Sequence, residues 1–461
     1  MKEIETVMKE AKNRKAPGCD NINMELWKYG GKKLKIRLLQ LFNLIWNEGR
    51  IPEEWYTANI VNIYKKGSRN ECGNYRGISL LTTAYKLYSA VLKKKLYPIL
   101  ETILGEEQNG FRKRRSCIYA IFTIKQILEK ISEYNLQSCL LFIDYIKAYD
   151  RVQRNKLWKI MEEYKIPFNL INSIKSLYSK TRITIKEEST YVNKGLRQGC
   201  GLSPILFDLY LNRIIENWRT KYKPKGIVLK KNTHIDTIVF ADDQVLLADS
   251  ETELQRAIKY LNEIGKEYNM KISGKKTKAM AMIGREQKRM KIVIDEEIIE
   301  QVSTFKYLGS KISIYNTKAD IEENIETYNK INGCIKRHFG KSMRREVKQR
   351  IHNIVSKPAL KYSCETWVLG SREKSRLEAA QMRFLRPLMG VTRLDRLRNV
   401  DIRAQLMENN IIEEVQYYQK EWKDHVLRMP PSRYPRQALF YQPSGRRNIG
   451  RQRRRWSDQF T

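Results

Sequence analysis

Two short apolar runs that end on aspartates constrain this chain more than any other feature. Residues 140–143 run directly into Asp144, and residues 237–240 run through Ala241 into Asp242 and Asp243 before apolar residues resume at 245–248. The pattern predicts one buried strand ending on an acid and one hairpin carrying two acids at its tip. Aspartate is disfavoured in strands. A carboxylate beside an apolar core also costs free energy unless it is paired or bound to a metal. Three such acids brought together would repel, and two Mg²⁺ ions (with Mn²⁺ as a substitute) would relieve that repulsion. The same ions would clamp the attacking and leaving oxygens of a phosphoryl transfer. Each motif alone has a plainer reading, because Asp-Asp at a hairpin tip is ordinary turn chemistry and Asp144 can cap a following helix. Their recurrence after two separate apolar strands favours chemistry.

Around these strands the periodicity is mostly helical. Ile121, Ile124, Leu128 and Ile131 step by three and four, as do Leu254, Ala257, Ile258, Leu261, Ile264 and Tyr268. Beyond about Asp320 the pattern is helical with charged faces. The expected class is therefore α+β, and 461 residues allow about three domains or subdomains. No internal repeat is evident.

The chain carries 88 Lys and Arg against 51 Asp and Glu, a formal net charge of +37. With 41% hydrophobic residues it should still fold rather than behave as a disordered basic tail. Such a field calls for a polyanionic partner, with nucleic acid ahead of an anionic membrane. The charge is densest at the C-terminal end, where His425 to Ser457 hold nine Arg and no Lys, Asp or Glu. Proline and glycine interrupt that stretch, so a loose basic extension is expected, with Arg446, Arg447, Arg453, Arg454 and Arg455 gripping nucleic acid and Trp456 as a stacking ring. Lys336, Arg337, Lys341, Arg344, Arg345, Lys348 and Arg350 lie on helical segments suited to a hybrid duplex.

The seven cysteines are scattered and form no CxxC pair, so neither a disulfide framework nor a zinc ribbon is indicated. Cys334 and His338 make only half of a metal site. No signal peptide or membrane-length apolar run is present. These features point to an intracellular protein, nuclear or cytoplasmic, with no membrane partner.

An ordered series of motifs then resembles the reverse transcriptase of non-LTR (LINE-type) retrotransposons. Lys15-Ala16-Pro17-Gly18-Cys19-Asp20 resembles the family's entry motif. Asn74-Tyr75-Arg76-Gly77-Ile78-Ser79-Leu80-Leu81 and Asn109-Gly110-Phe111-Arg112 resemble its finger motifs. Phe142-Ile143-Asp144-Tyr145-Ile146-Lys147-Ala148-Tyr149-Asp150 matches the first palm motif. Gly195-Leu196-Arg197-Gln198-Gly199-Cys200-Gly201-Leu202-Ser203-Pro204 matches the second, and Phe240-Ala241-Asp242-Asp243 the catalytic hairpin. Lys275-Lys276-Thr277-Lys278 and Phe305-Lys306-Tyr307-Leu308-Gly309 match the two motifs that follow.

The resemblance implies a right-hand polymerase fold: fingers and palm over 1–313, a helical thumb over 314–400 and a basic nucleic-acid-binding extension over 401–461. It implies an RNA-directed DNA polymerase that extends a DNA primer, or target DNA, on an RNA template with deoxynucleoside triphosphates. Asp144, Asp242 and Asp243 would bind the metal ions, and Lys276 would protonate the leaving pyrophosphate. Tyr149 would exclude a 2′-OH. Gln198 and Gly199 would support the nascent base pair, Arg76 and Arg112 would meet the triphosphate or template, and Phe305, Tyr307, Leu308 and Gly309 would hold the primer end. Elements of this kind commonly carry an upstream endonuclease, so that activity would come from elsewhere. Two other readings stay open: a degenerate or co-opted copy that binds nucleic acid without synthesis, and a group II intron-type maturase. The sequence departs from the usual pattern at Gly201, near Arg114, at Tyr145 and Ile146, and at Ser363 before Cys364-Glu365-Thr366-Trp367, where glycine is common.

Overall fold

The run at 140–143 is the end of a strand, Gln137–Ile143, in the computed structural model of the chain, which describes residues 1–230, 233–314, 318–340, 343–445, 447 and 453–460. The chain divides into two compact units built from interleaved segments. One comprises Met1–Lys113, Asp144–Lys223 and Ala257–Ser273, and the other Arg114–Ile143, Pro224–Arg256 and Gly274–Thr461.

In the second unit, Gln137–Ile143 is the middle strand of an antiparallel five-stranded sheet. Lys278–Ile283 lies on one side of it and Asp243–Ala248 on the other, with Glu286–Gln287 and Thr237–Phe240 at the edges. Strand side chains alternate between faces. Leu140, Phe142, Val245, Leu247, Met280 and Met282 share one face and pack with Ile121, Ile124, Leu128 and Ile131 of the helix Cys117–Glu133. The predicted helical stripe and the predicted strands thus meet in one core. Each such side chain contributes about 1.5–3 kcal/mol on full burial.

Helices Ala319–Phe339, Ser371–Leu388 and Ile411–Arg428 follow, joined around Tyr328, Trp367, Leu377 and Val415. The basic run from 336 is not one helix. It stops at Gly340, which has φ 37°, and a new helix spans Arg345–Ile351.

The C-terminal stretch is less loose than its proline and glycine content suggests. Tyr434–Leu439 is a helix, and Ala438 and Tyr441 are buried in the core of the five-stranded sheet. Trp456 is 1% exposed. Its ring packs on Phe122 at 4.8 Å and its Nε1 donates to the Glu365 carbonyl. It anchors the tail and is closed to a nucleobase, which corrects its expected stacking role.

The first unit holds a four-stranded sheet in the order Tyr75–Leu80, Thr57–Tyr64, Arg182–Ile185, Glu188–Tyr191. The central pair is parallel and the outer pairs antiparallel. Beside it run long helices, Thr83–Ile103 and Ser203–Tyr222 among them. Phe42, Trp55, Tyr85 and Tyr88 form an aromatic core with ring centroids 5.0–6.3 Å apart.

Two of the departures from the family pattern have a conformational basis. Arg114 has φ 56° and Ser363 has φ 58°. Both lie in the left-handed region that glycine adopts without penalty. The local backbone at both positions is therefore one that glycine would adopt without strain.

Candidate active site

The two acids predicted at a hairpin tip are there. Phe240 pairs with Asp243, which leaves Ala241 and Asp242 as a two-residue turn. Ala241 takes φ 57° to close it. Asp242 is half-buried and Asp243 exposed. In the neighbouring pair of strands Ile143 stands opposite Gln244. Asp144 follows Ile143 in the chain, and Asp243 precedes Gln244. Among the described residues, no group of three His, Cys, Asp or Glu side chains is gathered closely enough to hold a metal ion. The donor set itself suits a hard divalent cation, because all three groups are carboxylates.

The hairpin Thr304–Tyr307/Ser310–Ser313 lies against the same strands. Phe305 stacks on Phe142 at 4.4 Å, and Tyr307 lies 5.7 Å from that ring. Leu308 (φ 47°) and Gly309 (φ 82°) form the turn. Two consecutive positive φ values define the turn that matches strand twist. The Tyr362 hydroxyl donates to the Leu308 carbonyl at 2.6 Å. A Cβ on Gly309 would meet the Tyr362 ring at 3.0 Å. Tyr307 is 3% exposed. Burial, and then the Asp243 carboxylate, push its phenol well above the usual value. Phe305 and Tyr307 therefore pack on Phe142, in the strand next to the one that begins at Asp243. Leu308 packs against the same core and only Lys306 and Gly309 of this motif are exposed, which corrects the expected primer contact of Tyr307.

Lys276 is exposed in the turn before Lys278–Ile283. Its neighbour Lys278 is committed to Glu300 at 2.6 Å. Of the lysines in that motif, Lys275 and Lys276 are the exposed ones.

In the first unit the structure joins parts of the two palm motifs. The Gly195 N–H donates to the Val152 carbonyl and the Leu196 N–H to the Tyr149 carbonyl. Tyr149 stacks on Phe207 at 4.6 Å and 13°, so its ring has one orientation. The Gln198 side chain hydrogen-bonds Asp150. The Gln198 carbonyl accepts the Ser79 N–H at 2.6 Å. Gly199 has φ 125°, and a Cβ there would lie 2.5 Å from the Ser79 oxygen. Only glycine fits so close to another backbone in that conformation. Tyr149, Gln198 and Gly199 are thus brought together, beside the strand that carries Arg76. Arg76 is exposed on that strand.

Arg112 does not do what was expected of it. It is 8% exposed. Its guanidinium makes a bidentate pair with Glu101 and donates to the Gly105 and Gln108 carbonyls. With its donors spent inside the fold it organises the loop around Asn109, and it is not placed to meet a triphosphate.

The tail arginines are also partly committed. Arg447 and Arg455 both pair with Glu133. Arg454 donates to the Leu369 and Asp458 carbonyls while staying exposed, and Arg453 is exposed. Arg446 lies outside the described residues.

Sequence reasoning missed three positioning residues. Arg197, inside a quoted motif, donates to the Trp55 and Tyr56 carbonyls at 2.9 Å and lies over Tyr85. Arg154 donates to the carbonyls of Gly195, Tyr178, Val192 and Lys194. Burial draws it down to about 10. Asp320 ties Lys125, Lys311, Ser363 and Trp367 together. A lone Arg or Asp gives no sequence signal that its partners are backbone groups or distant side chains.

The model of the reverse transcriptase (RNA-dependent DNA polymerase) family matches residues 63–312, more than half of the chain. The chain belongs to the reverse transcriptase family. The RNA-directed DNA polymerase of transposon BS from Drosophila melanogaster is 23% identical over 453 residues, covering 93% of this chain and 48% of that protein. The RNA-directed DNA polymerase from mobile element jockey of Drosophila funebris is 20% identical over 441 residues, covering 92% and 48%. The transposon TX1 149 kDa protein of Xenopus laevis is 24% identical over 261 residues, covering 55% and 20%. The chain thus spans less than half the length of these curated relatives. They agree with the retrotransposon type of reverse transcriptase read from the motifs, and the α+β right-hand polymerase class follows from the family. Reverse transcriptases depend in general on divalent metal ions. Among the described residues no helix is long and apolar enough to cross a membrane.

Proposed function

We propose that this chain adds deoxynucleotides to a DNA primer on an RNA template, with Asp144, Asp242 and Asp243 holding two Mg²⁺ ions. The observation that carries the reading is the pairing of Ile143 with Gln244. It sets the ends of the two acid-bearing strands side by side, so one short stretch of sheet serves both motifs. Bound there, the metals would lower the pKa of the primer 3′-OH and neutralise charge on the leaving oxygen.

The remaining work falls to the chain's own groups. Tyr149, fixed by Phe207, would stand where a 2′-OH must pass and exclude it. The backbone at Gln198 and Gly199 would approach the nascent pair closely. Arg76 is an exposed finger cation suited to phosphate. Lys276 would give its proton to the departing pyrophosphate. Leu308 and Gly309 would contact the primer end. Residues 1–313 would act as fingers and palm, 314–400 as thumb and 401–461 as a further nucleic-acid surface.

The test is primer extension with purified protein, a primed RNA template, labelled deoxynucleotides and Mg²⁺. Asp242→Asn is expected to lower the rate by about a thousandfold or more while leaving template binding intact. Wild-type protein that is folded and binds template but does not extend it would overturn the reading.

A further inference from the structure

A cleft of about 300 Å³ opens between the helices Ser371–Leu388 and Ile411–Arg428 and the tail. Its floor is built. Gln419 Nε2 donates to the Cys364 and Trp367 carbonyls. Gln459 accepts the Leu369 N–H and donates to the Trp367 carbonyl. These amides fix the 364–369 segment and leave the walls to cations. Lys374, Lys420, Lys423 and Arg454 line the cleft, with Asp424 the acid beside them. Among the described residues none of the four cations forms an ion pair with a carboxylate, although Lys423 sits 4.7 Å from the Phe460 ring. Four cations in one concavity against a single acid repel one another, and an anion entering there would relieve that repulsion.

We propose that this cleft binds the phosphodiester backbone of a single-stranded nucleic acid, one nucleotide at a time. Its volume lies at the small end of ligand pockets, which suits one nucleotide unit and excludes a duplex. Phe460 lines the same cleft and is half-buried, which offers an apolar surface beside the phosphate. The site also changes the role of the tail. Arg447 and Arg455 are engaged by Glu133, and within this cleft Arg454 is the tail's cation, acting beside the lysines of the two helices. The proposal rests on the polymerase reading only in taking nucleic acid as the polyanion.

The test is fluorescence anisotropy of a labelled oligouridylate with the full chain, followed across a KCl series. The Lys420→Gln, Lys423→Gln double variant is expected to flatten the slope of log K against log salt by about 0.7, the value for one lost phosphate contact on a single strand. The matching Lys→Arg variant should restore it. An unchanged slope overturns the proposal. So does full displacement of the oligomer by AMP at concentrations that match its own affinity, which would show a mononucleotide site. Should the double variant melt below wild type, Lys374→Gln gives the same reading, a flatter slope. Primer extension on the same preparations separates the two readings. A wild type that fails to extend but keeps the lysine-dependent slope sinks polymerase activity and leaves the cleft standing.

Discussion

Asp320 Oδ2 accepts the indole N–H of Trp367 at 2.8 Å, and this bond ties the start of the helix Ala319–Phe339 to the segment that follows Cys364–Thr366. The same carboxylate accepts from Ser363 at 2.6 Å, Lys125 at 3.1 Å and the Lys311 backbone at 2.9 Å. Burial alone would raise its pKa. Lys125 and the hydrogen bonds of Ser363, Lys311 and Trp367 outweigh burial and hold it below the ordinary carboxylate range. Lys311 lies on the hairpin whose Tyr307 and Phe305 pack on Phe142, so Asp320 helps to hold that hairpin in place. Asp320→Ala strands the Lys125 ammonium and is expected to cost about 3–5 kcal/mol, read from urea unfolding. A loss under 1 kcal/mol would show that the network holds little. Because the folded pKa is depressed, this stability is present above the unfolded carboxylate value and is lost as pH falls through the folded one.

The conformation of Gly199 leads to the second expectation. Gly199→Ala must place a methyl 2.5 Å from the Ser79 oxygen at a φ of 125°. The strain is on the order of 1–3 kcal/mol and falls on the turn that would face the nascent base pair. A rise in KM for deoxynucleotide, with template affinity unchanged, is expected in steady-state extension. An unaltered KM would remove Gly199 from the nucleotide site.

Tyr149 and Phe207 form a pair whose two halves are separately testable. Tyr149→Ala should admit ribonucleotides, measured as the ratio of kcat/KM for UTP and dTTP. Phe207→Ala keeps the tyrosine but removes the ring stacked on it at 4.6 Å, so selectivity should relax part of the way. Unchanged sugar selectivity in both variants would leave Tyr149 a structural aromatic.

These residues also show what the sequence could and could not disclose. Period-two and period-3.6 patterns made the strand ending at Ile143, the hairpin around Asp242 and the helix from Cys117 readable, because each buries one face of its own. Motif order carried the family. Arg112 and Tyr307 were misread because a motif names a residue and not its partners. Glu101 and two carbonyls take up Arg112, while Phe142 and Asp243 surround Tyr307. Trp456 was misread for a related reason: an Arg-rich neighbourhood suggests exposure, yet its ring fills a hole beside Phe122 that lies more than 300 residues away in sequence.

That docking is coupled to pH through Glu129. Its carboxylate accepts the Trp456 N–H at 2.8 Å. Burial raises it to about 7, with the Trp456 hydrogen bond opposing. The folded value therefore lies above the unfolded one of about 4.3. In that window the folded state holds the extra proton, so the stability this group contributes is full below the unfolded value. It declines as pH rises and is gone once pH passes the folded value. Thermal melts should accordingly fall between about pH 5 and 8 by the equivalent of about 2 kcal/mol. Glu129→Gln keeps an oxygen for the Trp456 N–H but has no charge to bury. Its melting temperature should be flatter over the same range and higher than wild type at the alkaline end. Parallel profiles for the two proteins would place the pH dependence elsewhere.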